Sequence, residues 1–161
     1  MTLDELAQQI PLIQAPHGLL DVNFDTECIY YLGDLSALLQ RIADECLPEL
    51  SIRIQEEISA DETQFVATLT SDEASVVFRA PTDDDWLPDG FFEQLETLPA
   101  AFGSDKKLYS INPAIGLTGQ EAWFFCGTEA QLHAARQAGL PLVFPGEDFM
   151  ETDEYRKYND E

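Results

Sequence analysis

Residues 51–80, SIRIQEEISADETQFVATLTSDEASVVFRA, decide the fold. Ile52 and Ile54 alternate with Arg53 and Gln55 in 51–59, Phe65, Ala67 and Leu69 share one face of 64–70, and 74–80 is rich in Val and Phe. A period of two residues is the mark of a strand, because successive side chains point to opposite faces. The joins ADET and SDE are short and polar, and joins of that kind connect neighbouring strands antiparallel. A three-stranded meander is therefore expected at the centre of the chain.

Toward the N-terminus, LLDVNFD at 19–25 alternates Leu20, Val22 and Phe24 with Asp21, Asn23 and Asp25, a half-buried strand. CIYYL at 28–32 is expected to pair with it as a second strand. Thr2 and Glu5 have capping-box spacing ahead of a helix carrying Leu3, Leu6, Ala7 and Ile10 on one face, which Pro11 should end. Asp34 is placed to cap a helix running to about residue 47, with Leu35, Leu38, Leu39 and Ile42 as its apolar stripe and Pro48 as its stop.

Toward the C-terminus, Asp89 and Gly90 start a helix through Phe102 that turns Phe91, Phe92, Leu95, Leu98 and Phe102 inward, with Pro99 bending it or ending it early. Residues 106–113 read as a strand, and the apolar run EAWFFCG at 121–127 as a central one. Thr128 and Gln131 form a second capping box, Gly139 suits the end of that helix, and 140–144 follows as a strand. A right-handed crossover would place the two strands of this unit parallel. The expected fold is α+β: a single domain over 1–146, mainly antiparallel sheet around the meander, three to four packed helices and a C-terminal β-α-β unit. Residues 147–161, acidic with aromatic interruptions, are expected to be partly mobile.

Charge narrows the function. Eight Lys and Arg face 31 Asp and Glu, a formal net charge of −23, while 45% of the residues are hydrophobic, enough for a core. Such a domain repels itself, which points to halophilic adaptation or to a cationic partner. With 15 acids in 1–80 and 16 in 81–161, the charge is not a terminal tail. Phosphates and anionic membranes need Lys and Arg stripes, so direct nucleic-acid binding and membrane adhesion are disfavoured. Cys28, Cys46 and Cys126 are odd in number and widely spaced, which argues against a disulfide framework or a zinc site. MTLDELAQQIP has acids where a signal peptide needs a basic start, and no apolar run approaches the roughly 20 residues that span a bilayer, so a cytoplasmic protein is expected.

No constellation of catalytic residues stands out, and neither a cofactor nor a metal is expected. Asp85, Asp89, Gly90 and Glu96 fit four positions of a calcium loop, but Leu87 and Pro88 occupy positions that must ligate or bend, and a strand precedes the loop instead of a helix. Cys126 before a helix start could serve as a nucleophile with His17, but no motif supports the pair, and His133 reads as a surface residue on its helix. The glycines match neither a P-loop nor a dinucleotide fingerprint. Binding is the better reading. Asp83, Asp84, Asp85 and Asp89 surround Trp86, and aromatic anchors among steering charges are what protein interfaces use. The same mixture recurs in Glu147, Asp148, Phe149, Glu151, Asp153, Glu154, Tyr155 and Tyr158.

In these respects — small, cytoplasmic, very acidic, α+β, with the meander and a strand–helix–strand ending in QAGLPLVF — the chain resembles bacterial immunity proteins that neutralise delivered toxins. The resemblance implies a tight complex with a cognate basic toxin domain whose active cleft the acidic protein occludes; a nuclease, with its cleft for phosphates, is one class that fits. Two other readings fit the charge: a DNA mimic that titrates a nucleic-acid-binding protein, which requires a long continuous acidic face, and an adaptor or accessory domain.

Overall fold

The computed structural model describes residues 3–111 and 121–147. They form four helices and two antiparallel sheets, an α+β fold. The chain groups into two compact units, residues 25–105 and residues 1–24 with 106–161.

The unit of residues 25–105 contains the meander. Strands β2 (Arg53–Ile58), β3 (Gln64–Thr70) and β4 (Ser75–Pro81) pair antiparallel in that order, with Ile54 opposite Leu69 and Ala67 opposite Phe78. β3 is central and buries Phe65, Val66, Ala67 and Leu69, whereas the flanking β2 exposes Arg53, Gln55 and Glu57. The two helices of the unit are α2 (Asp34–Cys46) and α3 (Phe91–Ala101). α2 packs against β2 and β3, and its predicted stripe of Leu35, Leu38, Leu39 and Ile42 is buried along with Ala43 and Cys46. α3 packs on β4, where the Phe78 and Phe91 rings meet at 5.5 Å. Burial of each such side chain contributes about 1.5–3 kcal/mol.

The other unit contains α1 (Leu3–Gln14), β1 (Leu20–Asp25, whose last residue crosses the boundary), β5 (Lys106–Ser110), β6 (Glu121–Thr128) and α4 (Glu129–Gln137). The sheet order is β1-β6-β5. β6 is central, as its apolar run predicts, and both of its faces are buried. Phe124 stacks on Phe24 at 6.1 Å, while Phe125 joins a core of Ile10, Leu19, Tyr109, Leu132 and Leu140. The capping box at the start of α4 forms both ways: the Gln131 N–H donates to Thr128 Oγ1, and the Thr128 N–H donates to Gln131 Oε1. After α4, Leu142 makes an antiparallel bridge to Ile111 just beyond β5. Because β5 is antiparallel to β6, this returning segment runs parallel to β6, with β5 between them. It amounts to a single bridge, not a strand over 140–144.

Three local expectations are corrected. Residues 28–32 are not a strand; their backbone turns, and Asp34 Oδ2 accepts the N–H groups of Tyr30 and Tyr31, both at 2.9 Å. That carboxylate is thereby occupied away from the first turn of α2, whose N–H groups at Gly33 and Ser36 donate to the Glu56 carboxylate of β2, both at 2.6 Å. α1 continues through Pro11 to Gln14, since the buried Ile10 and the core-packed Ile13 offset the lost hydrogen bond. The capping box of Thr2 and the strand residues beyond 111 lie outside the described residues. Among those described, no helix is long and apolar enough to cross a membrane.

Candidate protein-docking surface

The loop after β4 carries Asp83, Asp84, Asp85 and Trp86, and local chemistry shapes it. Asp84 Oδ1 accepts the Trp86 N–H at 3.1 Å, closing a short side-chain turn of the kind Asp favours. The backbone then pairs with 26–29: Trp86 bridges Glu27, the Leu87 N–H donates to the Thr26 carbonyl, and the Ile29 N–H donates to the Asp85 carbonyl, both bonds at 2.9 Å. The acidic loop is thus held by main-chain bonds, and all four of its side chains face solvent, Trp86 with 43% of its surface exposed.

The pairing brings in residues whose sequence predicts a strand. Tyr30, Tyr31 and Leu32 are 48%, 76% and 53% exposed, large apolar side chains in one short run. Tyr30 is oriented by Glu27, to whose Oε1 its hydroxyl donates at 3.0 Å. Glu27 is also the bridge partner of Trp86, so tyrosine, carboxylate and indole belong to one surface. Exposed aromatic area set among charges is characteristic of binding sites, whereas single exposed apolar residues are ordinary.

Two groups here, Cys28 and Tyr30, are shifted, in part by neighbouring carboxylates. Burial first, and then the charges of Asp25 and Asp34, push the Cys28 thiol up to about 11. The Tyr30 hydroxyl is raised above its usual range, mainly by its hydrogen bond to Glu27, then by desolvation and by the charges of Glu27, Asp85 and Asp25. The charge is unequal between units. Residues 25–105 hold 19 acids against three bases, a net −16, and the rest of the chain holds 12 against five, a net −7. Of the three arginines of the meander unit, Arg41 contacts Glu45, Arg53 contacts Asp72 and Arg79 contacts Gln64.

Of the residues singled out from sequence, Asp83, Asp84, Asp85 and Trp86 share this surface, and Asp89 is exposed in the turn that leads into α3. Glu147 belongs to the other unit and is already engaged. It forms a two-pronged ion pair with Arg136 at 2.7 and 2.9 Å and accepts the Phe144 N–H, while the Arg136 guanidinium lies 4.2 Å from the centre of the Phe144 ring. The Arg136 hydrogen bond is the main reason its carboxyl lies below the usual range. Asp148, Glu151, Asp153, Glu154 and Tyr155, with Phe149 and Tyr158, lie outside the described residues.

Asp25, Glu27 and Tyr30–Leu32 were the residues missed. The unalternating run CIYYL, with two adjacent tyrosines and acids on both sides, was the available signal. Cys126 is 1% exposed within β6, and His17 closes the short 3-10 turn after α1. Among the described residues no group of three or more His, Cys, Asp or Glu side chains gathers as a metal site would require. Glu96, one of the calcium-loop positions, sits half-buried in α3, with its carboxyl raised by burial and then by Glu93. No family model, no curated protein and no solved structure matches the chain.

Proposed function

We propose that this chain is an acidic protein-binding inhibitor of the immunity type, and that it docks a basic partner on the surface made by 27–32 and 83–86. The observation that carries the reading is the exposure of Trp86 and of the run Tyr30–Leu32 among carboxylates, linked through Glu27, which is the bridge partner of Trp86 and accepts a hydrogen bond from the Tyr30 hydroxyl. The two ingredients have separate tasks. Long-range attraction from a unit of net −16 speeds encounter with a cationic surface and weakens with salt. Desolvation of the aromatic side chains in the complex slows release. The partner class that fits is a toxin domain with a basic cleft for phosphates, met in the cytoplasm, whose cleft the bound inhibitor occludes.

The test is capture from the source lysate with the chain immobilised, as the native sequence and with Asp83, Asp84 and Asp85 all changed to Lys. A basic protein held by the native chain, released by salt, inhibited by added chain and bound at least about tenfold more slowly by the variant is the expected result. Identical captured proteins with native and reversed loops would count against this surface.

A further inference from the structure

The surface also specifies which cation it takes. Lys and Arg differ in shape: the ammonium is a compact, strongly hydrated charge, whereas the guanidinium is flat, stacks on aromatic rings and pairs with carboxylates through two parallel bonds. A surface made only of carboxylates discriminates little between them, but one that sets aromatic faces beside carboxylates favours Arg.

Among the described residues, this arrangement is formed with a cation of the chain's own. Arg136 lies 4.2 Å from the centre of the Phe144 ring and holds both oxygens of Glu147. In the meander unit the aromatic and carboxylate halves recur at the surface. Trp86 and Tyr30 are 43% and 48% exposed, and Asp83 and Asp85 are exposed on the loop that carries Trp86. Among the described residues no hydrogen bond or ion pair engages the Asp83 or Asp85 carboxylates. Asp85 is tied to the same segment through its backbone, its carbonyl accepting the N–H of Ile29, the residue before Tyr30, at 2.9 Å.

We infer that this surface is an arginine cradle, in which a side chain from an exposed loop of the protein partner stacks on the Trp86 and Tyr30 faces and pairs with the Asp85 carboxylate. The inference rests on the docking function proposed above and adds to it the chemistry of the partner's anchor. Trp86 supplies the stacking face, Asp85 supplies the acceptor, and the bond between Tyr30 and Glu27 holds the second ring in place.

Calorimetric titration of the full chain with hexa-arginine and with hexa-lysine, equal in charge and at one low ionic strength, separates the two levels. The cradle predicts that hexa-arginine binds about fivefold to tenfold more tightly. It also predicts that Trp86→Ala brings the ratio close to one by weakening hexa-arginine more than hexa-lysine. Trp86→Leu, which keeps an apolar side chain without a π face, is to behave as Trp86→Ala does, and it decides the matter if the alanine variant loses its native circular dichroism. Equal affinities for the two peptides, or a preference that survives in Trp86→Leu, would overturn the cradle while leaving a cation-binding surface in place. Failure of both peptides to bind would remove the docking reading as well.

Discussion

Single residues carry much of the local structure. Gly127 is buried in β6, and a Cβ there would collide with Leu19 Cδ2 and lie 2.9 Å from Gln131 Oε1. Gln131 is the capping-box partner of Thr128, so the space left by the missing side chain is used by the start of α4. Gly127→Ala is expected to destabilise the protein by about 1–3 kcal/mol, as overpacking of a closed site does. Urea unfolding checks this, and an unchanged midpoint would show that the strand and helix yield more easily than their packing suggests. Cys28 offers a second test. Its thiol is pushed up to about 11 from 9.0, so the folded state favours the protonated form. The associated stability is present below the unfolded value and is lost as pH rises through the folded one. Alkylation of Cys28 by iodoacetamide in the folded protein should therefore stay slow at pH 9 and accelerate toward pH 11. Rapid labelling at pH 8 would mean that the surrounding carboxylates and the burial do not act on the thiol as described.

At the scale of elements, α2 is joined to the meander by a bond that helix rules alone do not supply. Glu56 lies on the face of β2 that also carries Ile54 and Ile58, and its carboxylate takes the N–H groups of Gly33 and Ser36. A negative group at a helix N-terminus satisfies orphan donors and complements the dipole. Glu56→Ala is expected to cost about 1–2 kcal/mol, read as a lower urea midpoint together with faster amide exchange in the first turn of α2. Retention of that turn's protection would show that Glu56 is dispensable. Sequence reasoning placed a cap at Asp34, the nearest acid in the chain, because a partner from a strand some twenty residues on leaves no local trace. The meander was legible for the opposite reason. Its period of two and its short polar joins are local properties, and the observed register follows from them. Pro11 misled because its penalty is local, while the core contacts of Ile10 and Ile13 that outweigh it are not. The same limit divides the candidate surface. Asp83–Asp85 and Trp86 are adjacent in sequence and could be read as acids around an anchor. Tyr30–Leu32 join them only through the bridge between Glu27 and Trp86, and an unalternating apolar run is as easily read as a strand.

For the whole molecule, the central fact is an uneven distribution of charge. Halving the sequence makes the acids look uniform, but the units of the fold do not coincide with the halves, and residues 25–105 hold most of the net charge. That unit also carries the largest run of exposed aromatic and aliphatic side chains among the described residues. A DNA mimic would need its carboxylates arranged in one long continuous face, whereas the proposed surface sets Trp86 and Tyr30 among its acids, and aromatics are enriched in protein interfaces. The most direct measurement is an amide chemical-shift titration of the isotope-labelled full chain with a cationic peptide at low salt. Docking on the proposed surface predicts that the largest shifts fall at residues 27–34 and 83–87 and that they shrink as added salt brings the Debye length below about 10 Å. Shifts spread evenly over both units, or concentrated away from these residues, would contradict it.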